Sequence, residues 1–225
     1  MIDRLYLKED DKTRCLLCPT NCSVKDGEFG VCNVRKNVNG EIINNYSGII
    51  SAIHLDPIEK KPLYHFMPGS KILSIGFFGC TMKCQFCQNH TISQIQKKDE
   101  LMINKNKKWS PKEMVDFLID SGYRSIAYTY SEPLLYYEWV YETAKLCKES
   151  GIKNVLVTNG YINPEPAKEL LRYIDALNID YKSATEVFYK RECFAQLDPV
   201  REFIKMAFES KVHIEVTTLV IEGKN

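Results

Sequence analysis

With 225 residues and 44% hydrophobic content, the chain can bury one sizeable core with at most a small appendage. Its 30 basic and 29 acidic residues leave a net charge of +1, too little to create a global field for nucleic acid or a membrane surface. Neither a signal peptide nor a long apolar span is visible, so a cytoplasmic protein is expected, and that compartment argues against a disulfide framework for the nine cysteines.

The first group of cysteines is Cys15, Cys18, Cys22 and Cys32, spaced C-x2-C-x3-C-x9-C. Gly27 and Gly30 lie in the last loop, where a chain folding back on a metal needs tight turns. Four thiolates this close are read as ligands. They suit a closed structural zinc site, and equally a second iron–sulfur cluster. Asn39-Gly40 then marks a two-residue hairpin between Val38 and Glu41-Ile42-Ile43. Asp56 to Phe66, with two prolines and mixed charge, reads as an ordered connector. Lys60, Lys61 and His65 there either touch a substrate or cofactor or form a solvated linker surface.

From Lys71 onward strand-like and helix-like runs alternate. Ile72 to Phe78 is the first strand, turning at Gly79 into Cys80-Thr81-Met82-Lys83-Cys84-Gln85-Phe86-Cys87. The lysine-rich stretch Lys97 to Lys108 reads as an exposed loop. Ser110-Pro111-Lys112-Glu113 opens a helix with serine at the N-cap, proline at N1 and glutamate at N3, and Gly122 stops it. Ser125–Tyr130, Asn154–Thr158, Ala176–Tyr181 and His213–Ile221 are further strands. Between them lie helices over Leu134–Ser150, from Pro164 with Asn163 as its cap, and from Asp198. Cys147 and Cys193 read as small core hydrophobes. This βα alternation predicts a parallel sheet with right-handed crossovers, apolar on both faces. Residues 1–69 form the Cys-rich extension, hairpin and connector; residues 70–225 form the α/β core.

In such sheets ligands gather at the carboxyl ends of the strands. Polar residues recur there: Ser131-Glu132-Pro133, Thr158-Asn159-Gly160 and Asp180-Tyr181-Lys182, all on the side of the cysteine loop. Singly, Glu132 or Asp180 is more often a helix cap or a surface pair. Cys80, Cys84 and Cys87, spaced C-x3-C-x2-C, can hold three corners of a cubane cluster and leave the fourth iron open. A closed zinc site with His90 as fourth ligand is the alternative.

With Phe86 just before the last cysteine, the trio resembles the cluster motif of the radical S-adenosylmethionine (SAM) enzymes. Cys87-Gln88-Asn89 and the run Asp56-Pro57-Ile58-Glu59-Lys60-Lys61-Pro62-Leu63-Tyr64-His65-Phe66 resemble the branch related to pyruvate formate-lyase activating enzymes, specifically the radical SAM member of the AmmeMemoRadiSam system. The resemblance runs from about Cys15 to Asn225. It implies a partial (β/α)6 TIM-like barrel, of which five strands are countable here, the fifth lying at the sheet edge. It implies a [4Fe–4S] cluster on Cys80, Cys84 and Cys87 that reductively cleaves SAM to a 5′-deoxyadenosyl radical.

The same resemblance assigns the strand ends. Ser131-Glu132-Pro133 stands where the family has Gly-Gly-Glu, which meets the SAM amino group; both glycines are lacking here. Thr158-Asn159-Gly160 and Asp180-Tyr181-Lys182 stand where the family holds the ribose and methionine parts, and Phe86 lies beside the adenine. Activating enzymes carry an aspartate where Val157 stands, so a cation site there is not expected. Phe77-Phe78 replace a small polar residue beneath the loop. Expected partners are a ferredoxin or flavodoxin as electron donor and a Memo-like or other protein as substrate. Within the class, the alternative is an activase for a glycyl-radical enzyme. Outside it, the alternatives are an iron–sulfur electron carrier or a zinc-stabilised scaffold, neither of which needs Glu132, Asn159 and Asp180 around the cysteines.

Overall fold

The computed structural model describes residues 5–225. The amino-terminal extension is built from short antiparallel pieces. Strands β1 (Tyr6–Lys8), β2 (Lys12–Cys15) and β3 (Ser23–Lys25) form one sheet in that order. Strands β4 (Arg35–Val38) and β5 (Glu41–Asn44) form the hairpin expected at Asn39-Gly40. Its two turn residues have φ of 54° and 80°, the left-handed pair a type I′ turn requires.

The main sheet carries the six strands β11-β10-β9-β8-β7-β6 in spatial order. Five are those read from the sequence: β7 (Lys71–Gly76), β8 (Ser125–Thr129), β9 (Lys153–Thr158), β10 (Ala176–Asp180) and β11 (His213–Thr217). They run parallel, in registers such as Leu73 opposite Ile126 and Ala176 opposite His213. The sixth, β6 (Ala52–Pro57), pairs antiparallel with β7 and was not anticipated. Its half-exposed residues alternate too weakly to announce a strand, and only the partner β7 defines it. As expected, β11 is the edge on the other side, and it ends at Thr217 rather than Ile221.

Between β7 and β8 lie two short helical turns, α1 (His90–Ser93) and α2 (Glu100–Ile103), followed by α3 (Pro111–Asp120). The stretch Lys97–Lys108 is mostly exposed, as expected, but it carries α2, whose Ile103 drops into the core. Helix α3 shows the reciprocal cap: the Glu113 amide donates to Ser110 Oγ at 3.2 Å, and the Ser110 amide to Glu113 Oε2 at 2.7 Å. Helix α4 (Tyr137–Glu149) is preceded by a tight 3-10 turn over Pro133–Tyr136. Helices α5 (Pro164–Leu171), α6 (Glu186–Phe188) and α7 (Asp198–Glu209) complete the layer. Asn163 is the N-cap residue of α5, as expected, but its side chain makes no capping bond; its amide donates instead to Leu16 O at 2.8 Å and Asn21 Oδ1 at 3.0 Å, tying the extension to the core.

Two packed regions hold this together. On the helix side Met114, Leu118, Val140, Ala144, Leu170 and Phe203 are buried against the sheet. On the other side Ile72, Ala127, Val155 and Ala176, one from each of four neighbouring strands, pack on Ile58 and Leu63. Each buried aliphatic chain of the larger kind contributes about 1.5–3 kcal/mol. The Asp56–Phe66 connector is therefore a plug on the sheet. Lys61 is 2% exposed, which corrects the reading of this connector as a solvated surface at that position. No helix among the described residues is long and apolar enough to cross a membrane.

Candidate active site

The carboxyl ends of the parallel strands surround a cavity of about 340 Å³. Cys80, Cys84 and Cys87 line one wall, on the loop that leaves β7. That loop turns at Gly79, whose φ is +81° and where a Cβ would meet Val34 Cγ2 at 2.2 Å. Only glycine fits both the backbone and the space. Beneath it Phe77 is fully buried against Tyr136, ring centroids 4.4 Å apart, and the Phe78 amide donates to the Tyr136 hydroxyl at 3.2 Å. The two phenylalanines thus fill the space under the loop.

The front of the loop is docked on a turn that sequence reading missed, the π-helical stretch Tyr189–Cys193. Lys83 N donates to Cys193 O at 2.9 Å and Gln85 N to Glu192 O at 3.0 Å. Cys193 is buried, as expected of a core residue, but its thiol also hydrogen-bonds Cys84; that bond and burial push the Cys84 thiol pKa up. Burial does the same to Cys80. A soft metal would have to displace these thiol protons.

The strand ends supply the remaining walls. Glu132 is 1% exposed and is the N-cap of the 3-10 turn, accepting from Leu134 N at 3.0 Å. The cap role weighed in the sequence is therefore real, and Glu132 lines the cavity as well. It also accepts from Thr158 Oγ1 at 2.8 Å and Asn159 N at 3.0 Å. Burial nevertheless pushes its carboxyl up to about 7, because three donors and the Lys182 cation only partly offset lost hydration. Thr158 serves the cavity through Glu132 and does not itself line it. Ser131 does line it, with its hydroxyl donating to Phe77 O at 2.9 Å. Asn159 Nδ2 donates to Thr81 Oγ1 at 3.1 Å and approaches Cys80 Sγ at 3.5 Å, joining the third strand end to the cysteine loop. Asp180 and Lys182 form an ion pair, and Lys182 Nζ stands 5.8 Å from the Phe86 ring centroid. Burial opposes the Lys182 charge, but Asp180 outweighs it and raises the pKa. Val157, in place of an acid, leaves an apolar step in the wall.

A second group was not singled out as a unit: Lys60, Lys61 and Tyr130 line the cavity and meet on Asp56 behind its wall. Asp56 accepts from Lys61 Nζ at 2.8 Å and from the Tyr130 hydroxyl at 2.7 Å. Lys60 approaches the same carboxylate at 3.5 Å. Burial alone would raise the Asp56 carboxyl, yet Lys61 and Tyr130 hold it well below the usual range. The Asp56-Pro57-Ile58-Glu59-Lys60-Lys61 run was a visible signal. Tyr130 was visible as a residue at the end of the second strand, but its pairing with Asp56 was not.

Among the described residues no three His, Cys, Asp or Glu side chains converge as a ready-made metal cage. The donor set nevertheless fits a cluster with an open iron: three cysteines on one loop face a cavity large enough for a bound small molecule. His90 is exposed at the start of α1 and does not line this cavity, so the closed zinc site with that residue is not favoured.

Comparison with known proteins gives concordant results. The chain is 42% identical over 217 residues to an uncharacterized protein of Methanocaldococcus jannaschii, covering 96% of this chain and 63% of that one. It is 24% identical over 160 residues to pyruvate formate-lyase 1-activating enzyme of Escherichia coli, covering 69% of this chain and 63% of that one. It thus spans 63% of the length of each of these two relatives. A solved domain of a pyruvate formate-lyase-activating enzyme from Bacteroides vulgatus aligns over 44% of this chain and 62% of that one, at 25% identity and a TM-score of 0.41. Residues 74–225, which include the central cysteine loop and the strand ends, match the family model described as the radical SAM superfamily, and the chain belongs to that superfamily.

Proposed function

We propose that this chain is a radical SAM enzyme that reductively cleaves SAM in the cavity above the sheet and acts on a partner protein. The observation that carries this is the gathering of three cysteines and three polar strand ends around one cavity. Cys80, Cys84 and Cys87 would hold a [4Fe–4S] cluster with one iron left for the SAM amino and carboxylate groups. When bound, that pair supplies one-electron reduction and carbon–sulfur bond cleavage, chemistry that belongs to the cofactors.

The chain's own residues bind and orient. Glu132, fixed by three donors, offers a carboxylate oxygen to the N–H groups of the SAM amino group. Asn159 and Ser131 present polar groups beside it, and Thr158 holds Glu132 in place. The Asp180–Lys182 pair faces the methionine and ribose parts, and Phe86 gives an apolar face for the adenine. Phe86 also packs on Phe188, with centroids 5.7 Å apart, so that face is fixed. Val157 and Met82 keep part of the wall dry. Lys61 and Tyr130, joined through Asp56, add a further polar stretch to the wall of the same cavity.

Two relatives are named as activating enzymes, which favours a protein substrate over a free metabolite. The Asp56–Phe66 run favours a Memo-like partner over a glycyl-radical enzyme, and a ferredoxin or flavodoxin is the electron donor of choice. The test is Cys84→Ala in anaerobically purified protein. The wild type should carry iron and sulfide and, after dithionite reduction, convert SAM to 5′-deoxyadenosine. The variant should lose both properties, and wild-type cleavage by the variant would end this reading.

A further inference from the structure

The four cysteines of the extension line a second, smaller space, although their sulfurs are not drawn together as a ready-made cage. Cys15, Cys18, Cys22 and Cys32 line one cavity together with Arg35 and Thr81. Backbone amides already aim at two of the sulfurs: Val31 N lies 3.5 Å from Cys22 Sγ, and Arg35 N lies 3.4 Å from Cys32 Sγ. Such N–H···S contacts stabilise thiolates more than thiols.

Arg35 is the second observation. It is 2% exposed, and its terminal nitrogens go to Glu138, at 2.6 and 2.7 Å. Its Nε–H, also buried, has no hydrogen-bond partner. A buried guanidinium donor left unpaired is costly, and the cavity it lines is where its acceptor would sit. Four thiolates around a divalent ion carry a net charge of −2, from four negative sulfurs and two positive charges. That is an acceptor of the right sign, since Glu138 neutralises Arg35 through its other edge.

Charge does not separate a zinc ion from a second cubane, but size does. The cavity measures about 20 Å³, little above the roughly 10–15 Å³ that one water needs. Its present volume suits a single ion, whereas eight iron and sulfur atoms would require the cysteine-bearing loops to move apart. The central cavity, at about 340 Å³, differs from it by more than an order of magnitude.

We propose that Cys15, Cys18, Cys22 and Cys32 close tetrahedrally on one zinc ion, with Arg35 Nε–H donating to a ligand sulfur. Binding expels the thiol protons and draws in sulfurs that already line one cavity; no electron is transferred. The consequence reaches the central loop. A Cβ on Gly79 would lie 3.1 Å from Cys32 O, and Thr81, the residue after Cys80, forms part of the cavity wall. The zinc site therefore backs the loop that carries the central cysteines. This inference stands independently of the SAM chemistry.

Zinc-edge X-ray absorption on the whole anaerobically purified protein is the test, because iron elsewhere in the chain does not enter that spectrum. About one zinc per chain with four sulfurs at about 2.3 Å is expected. The same stoichiometry should persist in the Cys80→Ala/Cys84→Ala/Cys87→Ala variant. Cys18→Ser should lose a sulfur ligand, and Arg35→Met should release zinc to a colorimetric chelator at least about tenfold faster. About four irons per chain in the triple variant would overturn the proposal. So would zinc with nitrogen or oxygen ligands in the wild type, or no stoichiometric zinc in protein expressed with zinc supplied. If the triple variant does not fold, the wild-type spectrum decides.

Discussion

Glu132 offers a sharp test because its burial and its proposed role make opposite demands. The carboxyl is fully enclosed and its pKa stands at about 7, against an ordinary 4.5. For an acid whose pKa is raised on folding, the native state binds the proton more tightly than the unfolded chain. Stability is then greatest below about pH 4.5, falls as pH rises, and levels off above about pH 7. The gap of 2.5 units, at about 1.4 kcal/mol each, amounts to about 3 kcal/mol. Glu132→Gln removes the titration while keeping the shape. Its absolute stability will drop, since the new amide faces the Asn159 N–H that a carboxylate oxygen accepted, at a cost of about 1–3 kcal/mol.

The slope is what discriminates. Urea denaturation of the cluster-free protein at intervals from pH 5 to 8 should show wild-type stability declining relative to the variant by about 3 kcal/mol. An amino N–H donor beside the carboxylate reverses the balance, so SAM affinity should rise with pH up to about 7 in the wild type. In the variant, calorimetry should find SAM bound at least tenfold more weakly and with little pH dependence. Parallel stability profiles for the two proteins would refute the reasoning.

Three further outcomes are expected. Gly79→Ala places a methyl 2.2 Å from Val34 Cγ2 at a φ of +81°, so overpacking and backbone strain together should cost about 2–5 kcal/mol; an unchanged melting temperature would contradict the loop geometry. Asp56→Asn strands Lys61 in a buried site and should destabilise by about 3–5 kcal/mol, whereas Asp56→Asn combined with Lys61→Met should recover most of it; equal losses in the single and double variants would deny the coupling. Phe86→Ala should weaken SAM binding about tenfold while leaving iron content unchanged, because the ring lines the cavity and is not a ligand; loss of the iron would show that it supports the loop instead.

Much of this molecule is written locally. The strands β7 to β11 announce themselves as apolar runs, and Ser110-Pro111-Lys112-Glu113 and Asn39-Gly40 carry their own stop and turn signals within a few residues. The two cysteine groups are legible because their spacing is set by short loops. What depends on chain segments far apart is not legible in this way. Strand β6 exists because β7 offers it an antiparallel edge. Lys61 is buried because Asp56, 5 residues before it, and Tyr130, 74 residues after Asp56, close around it. The same holds for Arg35, whose charge is met by Glu138, 103 residues away, while its buried Nε–H has no partner and the side chain lines the cavity of the amino-terminal cysteines. Sequence alone determined the parallel α/β scaffold and the kinds of ligand it carries, since periodicity, caps and ligand spacing act over a few residues. Only the tertiary structure decided that the two cysteine groups lie back to back and which polar groups face the cavity, because burial and electrostatics depend on neighbours that the chain order does not reveal.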